Sequence, residues 1–153
     1  MKKKNTLEQT LRQAGSMREG FMGRDERSLA AILKADDAAI RRRGLTHAHI
    51  AQRLLALRQA GWEGLGESVS VPPHFEVCVD AARGKLSCPF GDPGSFAKVN
   101  TTVRNLERGM EITFTDLNIH LVAAHGFYEG RGAQFRLDPE RLMDTLEMER
   151  NNR

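Results

Sequence analysis

Three β-rich segments follow one another between residues 75 and 115 with only short connections between them, and this succession most constrains the fold. The first, HFEVCVD, alternates Phe75, Val77 and Val79 with more polar residues, which is the pattern of a half-buried strand. After this strand we predict a turn at ARGK and a loop at LSCPFGDPGSF. Two further strands are predicted at KVNTTVRN and MEITFT. The connection LERG would join them through a type I turn with Gly109 in the left-handed region. Helical periodicity occurs only before and after these segments. We therefore predict an α+β fold with a small antiparallel sheet of three or more strands.

Two amphipathic helices precede the predicted sheet. The first is predicted to begin at Asp25, which would act as its N-cap, and to end at Arg43, followed by Gly44 in the left-handed region. Thr46 is the expected N-cap of the second helix, which Gly61 would end. The segment WEGLGESVSVPP after it is predicted as a connection. The tight corner between the helices predicts an N-terminal helical hairpin, which we expect to pack on the sheet.

Two short helices are predicted after the sheet. DLNIHLVAAHG would be capped by Thr115 or Asp116 and ended by Gly126. LDPERLMDTLEM would be capped by Asp138, with Pro139 at its first helical position.

The length of 153 residues suits one domain. We expect residues 1–22 to form a polar, partly mobile arm and residues 23–150 to form a single α+β domain. Within that domain, residues 23–66 are the helical half, and residues 67–150 hold the sheet and two helices.

Composition and patterning exclude several classes of protein. No apolar run approaches the ~18–20 residues that span a bilayer, and MKKKNTLEQT lacks the apolar segment of a signal peptide. We therefore expect a cytoplasmic protein with no membrane partner. In that reducing compartment Cys78 and Cys88 are expected to be free thiols rather than a disulfide.

The segment HGFYEGRG, residues 125–132, is the first candidate site. A helix end explains its first three residues, but Arg131 and the following Arg136 are suited to binding a carboxylate or a phosphate. Exposed N–H groups beside the glycines add to that capacity. We predict a pocket between loops 87–96 and 125–136, walled in part by Phe90, which holds a small anionic ligand or a protein partner. The predicted ligand-binding residues are Asp92, Phe127, Tyr128, Glu129, Arg131 and Arg136.

Cys88 is the second candidate, because a cysteine in a loop is more accessible than one in a strand. A cysteine nucleophile needs a base, and His120 or His125 would serve if the fold brings them together. Asp92 or Glu129 would then orient the base. The predicted catalytic residues are therefore Cys88, His120 and His125.

Metal ions and nucleic acids are disfavoured by the spacing of the residues that would bind them. No close histidine or cysteine pair has the spacing of a structural zinc site, and His120 and His125 diverge by about 140° on one helix. No metal and no cofactor are predicted. The alternative that stays open is a metal site formed by Cys88 and one of these histidines. GLTHAHIAQRLLALRQAG is similar to the start of a helix-turn-helix, but no recognition helix follows it.

The sequence favours a non-catalytic binding or interaction protein that uses the predicted loop pocket. A cysteine-dependent hydrolase or transferase is the alternative, and nucleic-acid binding through the basic helical half is a third function. A twofold homodimer is a further expectation.

Overall fold

A computed structural model describes residues 7–13 and 20–149 of the chain, and this part has an α+β fold with a four-stranded antiparallel sheet. None of its helices is both long and apolar enough to span a membrane. In chain order the elements are α1 (Leu7–Gln13), α2 (Leu29–Arg42), α3 (His47–Trp62), β1 (Val69–Val71), β2 (Phe75–Ser87), β3 (Ser95–Asn105), β4 (Met110–Thr115), α4 (Asp116–His125) and α5 (Pro139–Leu146).

The strands lie in the order β1-β2-β3-β4. The ladder between β2 and β3 extends from Phe75 opposite Asn105 to Ser87 opposite Ser95. The predicted ARGK turn is wrong: β2 continues through it, and an irregularity in register between Ala81 and Lys85 accommodates the extra residues. Strand β1 was missed because its three residues are too few to show a periodicity.

Helix α3 packs on one face of the sheet, against β2. Gly61 makes this close approach possible, because a Cβ built there would lie 2.6 Å from Val77 Cγ1 and 2.7 Å from Val79 Cγ2. Helix α2 packs against α5, where Arg43 contacts the carboxylates of Glu140 and Asp144 at 2.8 and 2.7 Å.

The predicted start of α2 at Asp25 is wrong. The helix begins at Leu29 and is capped by Ser28, whose side chain accepts from the N–H of Ala31. The Asp25 carboxylate instead pairs with Arg27 at 2.6 Å and accepts from the backbone N–H of Arg131 at 3.1 Å. The carboxylate that would have capped the helix is therefore bound by Arg27 and by the backbone of Arg131 instead.

The other predicted caps are confirmed. Thr46 caps α3 in a capping box with His49, and Thr115 caps α4. Asp138 caps α5, and Pro139 follows it in the first turn.

A hydrophobic cluster below α4 supports the candidate site. Its buried members are Leu11, Phe21, Met22, Ile32, Cys88, Leu117, Leu121 and Phe127. Three of these belong to the segment predicted as a polar arm, and they anchor it to the domain. Residues 1–6 and 14–19 lie outside the described residues, so the mobility of the arm stays a prediction.

Candidate metal centre

Four side chains with metal-ligating atoms converge on one side of α4. They are Cys88, Asp92, His120 and His125, called here the four-residue cluster. One ligating atom from each lies within 4.8 Å of those from the others. Two of the side chains come from the loop after β2, and two come from α4. The cluster therefore joins segments that are distant in the sequence.

The two histidines reach the same carboxylate oxygen. Nε2 of His120 and Nε2 of His125 each lie 2.8 Å from Oδ2 of Asp92. The five-residue spacing separates their Cα–Cβ directions by about 140°, but the loop places Asp92 between the two rings. The rings then approach the carboxylate from two sides, with their centroids 5.6 Å apart.

A turn after β2 brings the loop residues into position. The N–H of Gly91 donates to the carbonyl of Cys88 at 3.0 Å, and Gly91 has a φ of +95°, which a glycine adopts without strain. This turn directs Asp92 back toward α4. The prediction that Cys88 is the more accessible cysteine is wrong: it is buried in the hydrophobic cluster, with 5% of the residue exposed, whereas Cys78 is half-buried. The Sγ of Cys88 lies 3.7 Å from His125 Nε2.

Aromatic side chains hold both imidazole rings. Phe90 stacks on His125 with ring centroids 4.0 Å apart, and Phe127 meets Phe90 edge to face. Phe96 packs on His120 at 4.7 Å. Phe90 and Phe127 were predicted to wall the candidate pocket, whereas Phe96, the last residue of the predicted loop, was not, and the structure places it on β3.

The hydrogen bonds shape the electrostatics of the cluster. The hydrogen bond with His125 is the largest cause that lowers the pKa of the Asp92 carboxyl below its usual value, and the hydrogen bond with His120 adds to it. Asp92 is therefore held as a carboxylate next to the thiol and the imidazoles. A carboxylate, a thiol and two imidazoles at one point form a donor set for a soft or borderline cation.

The arrangement differs from a cysteine–histidine–aspartate triad. In a triad the base uses one ring nitrogen toward the nucleophile and the other toward the carboxylate. Here His125 uses Nε2 toward both Cys88 and Asp92. All the donor atoms thus point to a common centre, whereas a triad forms a relay across the imidazole.

The other predicted ligand-binding residues are not members of the four-residue cluster. Phe127, Tyr128 and Glu129 are buried, and the Arg136 guanidinium pairs with Asp36 at 2.6 Å. Arg131 lines an open cavity of about 480 Å³ together with residues 24–27, and no residue of the predicted partner loop 87–96 belongs to that lining.

Tyr128 and Glu129 each have a partner in the protein interior. The Tyr128 hydroxyl hydrogen-bonds to Nδ1 of His47 at 2.8 Å, and burial raises the pKa of its phenol. Glu129 Oε2 accepts from Asn118 Nδ2 at 2.7 Å, and burial raises the pKa of its carboxyl to about 7. Neither contact was visible from sequence spacing.

A second group of potential ligands lies at the other end of the sheet. His74 directs Nε2 to Glu147 at 2.6 Å and Nδ1 toward Glu107 at 3.8 Å. Glu147 also accepts from Asn105 and lies near Arg108. One ligating atom from each of His74, Glu107 and Glu147 also lies within 4.8 Å of the others. Because the two imidazole nitrogens point to different carboxylates, we assign this group to an ion-pair network around α5.

Comparison of the chain with models of protein families, with curated proteins and with solved structures gives no match. The four-residue cluster is therefore the main observation from which a function can be derived.

Proposed function

We propose that the protein binds one divalent transition-metal ion of the zinc type through the four-residue cluster. The observation that carries this proposal is the convergence of Cys88 Sγ, both histidine Nε2 atoms and Asp92 Oδ2 on one point. Cysteine sulfur, histidine nitrogen and aspartate oxygen are all ligands that zinc accepts. Calcium and magnesium prefer sets made of oxygen atoms alone, so this mixed set disfavours them.

The separations of the donor atoms support a tetrahedral site. Zinc–ligand distances of about 2.0–2.3 Å place neighbouring donor atoms of a tetrahedron roughly 3.3–3.6 Å apart. Cys88 Sγ and His125 Nε2 are 3.7 Å apart, already close to that range. The two histidine–Asp92 contacts are 2.8 Å hydrogen bonds. Replacing them by metal bonds requires the atoms to separate by only about half an ångström.

The metal would act as a clamp between the loop after β2 and the C-terminal end of α4. A site present in the folded chain and absent from the unfolded chain adds its binding free energy to folding. Three ligands are partly exposed, with 20–36% of their side chains accessible, so an ion can enter from solvent. The aromatic rings on the two histidines keep those ligands oriented for it.

A cysteine-dependent hydrolase or transferase is the second candidate. The 3.7 Å contact between Cys88 and His125 favours it. The shared Nε2 atom and the burial of Cys88 disfavour it, because a nucleophile must reach its substrate. Nucleic-acid binding, a homodimer and a cytoplasmic location stay predictions from the sequence.

Titration of the metal-free protein with Co²⁺ tests the proposal, since Co²⁺ occupies zinc sites and gives an absorption band when bound by a thiolate. We expect one equivalent to bind with that band, and Zn²⁺ to displace it. The band should be lost in Cys88→Ser, and binding should be weakened strongly in His120→Ala and His125→Ala. Cys78→Ser and His74→Ala are the matched controls, and each should retain the full signal.

Two results would overturn the metal proposal. One is the absence of saturable Co²⁺ binding; the other is a thiolate band that survives in Cys88→Ser. Rapid alkylation of Cys88 near neutral pH in a protein that binds no metal would support the cysteine enzyme instead.

A further inference from the structure

A cavity of about 200 Å³ lies between the β2–β3 ladder and the segment at residues 134–135. We infer that it binds a small organic carboxylate, a site separate from the metal proposal and not dependent on it. Its lining includes the polar side chains of Lys98, Asn100 and Gln134. It also includes the apolar side chains of Leu86 and Phe135.

The charge in this cavity is uncompensated. Lys98 is the charged residue of the lining, which contains no carboxylate. Within residues 7–13 and 20–149 its ammonium group forms no ion pair with a carboxylate. A half-buried cation without an anionic partner attracts an anion from solvent, and the low-dielectric walls strengthen that attraction.

The Lys98 side chain runs over Gly84 of the neighbouring strand. Its Cε, Cδ and Nζ atoms lie 3.5–3.7 Å from where a Cβ on Gly84 would be. The side chain therefore lies across β2 at the register irregularity, where Gly84 presents no side chain. A larger residue at position 84 would occupy the same space.

The surrounding backbone is also held in place. Thr115, which borders the cavity, is the N-cap of α4, and Arg136 next to Phe135 is paired with the buried Asp36. The cavity is thus bounded by rigid elements on the sheet side and by an anchored segment on the other. A preformed site of this kind loses little conformational entropy when it binds a ligand.

The size of the cavity and the mixed polar and apolar lining define the ligand. The volume is below the ~300–1,000 Å³ of pockets that hold drug-sized molecules, so the ligand is small. The ammonium and the two side-chain amides are hydrogen-bond donors for a carboxylate. Leu86 and Phe135 bury a short hydrocarbon body, which inorganic phosphate lacks. An anion site was predicted from the sequence at Arg131 and Arg136, not at Lys98.

The test is a titration with sodium butyrate followed by two-dimensional amide NMR at constant ionic strength. We expect saturable shifts at Lys98, Asn100 and Gln134. Two control ligands should give no saturable shifts. Butyramide has the same hydrocarbon chain without the charge, and sodium phosphate has charge without the hydrocarbon chain. Lys98→Met should weaken butyrate binding at least tenfold, and Lys98→Gln should do the same.

Lys85→Met is the matched control, because Lys85 is an exposed lysine on the neighbouring strand and does not line the cavity. It should bind butyrate as the unmodified protein does. The inference is overturned if butyrate shifts rise linearly without saturation, if butyramide or phosphate binds equally well, or if Lys98→Met retains the affinity. Metal binding is unaffected by these outcomes, so the two proposals succeed or fail separately.

Discussion

Nε2 of His125 lies 3.7 Å from Sγ of Cys88, although the two residues are 37 positions apart in the chain. The contact joins the end of α4 to the loop after β2. Because the same nitrogen also contacts Asp92 at 2.8 Å, the three side chains are directed to one point. This convergence supports the proposed metal centre over a catalytic relay and leads to the first prediction.

Zinc should raise the thermal stability of the protein. At a free concentration one hundred times the dissociation constant, a ligand specific for the folded state stabilises it by about 2.7 kcal/mol. For a domain of this size that corresponds to a rise in Tm of roughly 5–10 °C. Differential scanning fluorimetry of metal-free protein with and without Zn²⁺ measures it. The rise should disappear in His120→Ala and persist in Cys78→Ala; equal rises in both variants would exclude the four-residue cluster as the site.

The buried carboxyl of Glu129 should make stability depend on pH. Burial raises its pKa from 4.5 to about 7, so the folded protein binds the proton more tightly than the unfolded chain does. The stability that the protonated Glu129 carboxyl contributes is therefore fully present below about pH 4.5, and it is lost as the pH rises through 7. The total loss amounts to at most about 3 kcal/mol.

Urea denaturation at pH 5 and pH 8 measures this effect. Glu129→Gln keeps an oxygen that accepts from Asn118 but cannot ionise, so its stability should fall less between the two pH values. The exposed Glu111→Gln should behave as the unmodified protein does. An unchanged pH dependence in Glu129→Gln would show that this carboxyl is not the group responsible.

Gly61→Ala should destabilise the protein, although alanine is the better helix former by up to ~1 kcal/mol. The new methyl group would meet Val77 at 2.6 Å, and overpacking of this kind costs about 1–3 kcal/mol. Val77→Ala should relieve part of that cost in the double variant, which a double-mutant cycle from urea unfolding measures. Additive effects of the two substitutions would argue against this contact.

Arg136→Ala should destabilise the fold strongly. The Arg136 and Asp36 side chains are only 11% and 6% exposed, and removing the guanidinium leaves a buried carboxylate without its partner. Such a change costs about 3–5 kcal/mol. Arg41→Ala is the control, because Arg41 pairs with Asp37 at the surface, where an ion pair contributes about 0–1 kcal/mol. Comparable losses in the two variants, measured by urea unfolding, would contradict the assigned role of burial.

Local features were predictable wherever a residue and its partner are neighbours in the chain. The caps at Thr46, Thr115 and Asp138 follow from hydrogen bonds within one helical turn. Gly126 ends α4 in the left-handed region, and its N–H donates to the carbonyl of Val122 four residues back, as in an αL helix end. The alternation in β2 likewise placed Phe75, Val77 and Val79 in the core.

Contacts between distant residues contribute to both errors. Asp25 does not cap α2, because its carboxylate binds the nearby Arg27 and also the backbone N–H of Arg131, 106 positions away. The ARGK segment does not turn, because β3 lies beside it and pairs with it on both sides of the irregularity. Local preference predicted both features, and tertiary structure overrode them.

By itself, the sequence determined the order of α2 to α5 and of the three longer strands, the antiparallel character of the sheet and the caps at Thr46, Thr115 and Asp138, because these depend on periodicity and on short-range hydrogen bonds. It also identified the cysteine and the histidines as chemically capable residues. Only the tertiary structure decided that Cys88, Asp92, His120 and His125 share one centre and that Lys98 faces a cavity. The physical reason is that the geometry of the ligands depends on how the loop after β2 lies against α4. Side-chain packing determines that arrangement, and the spacing of residues along the chain does not show it.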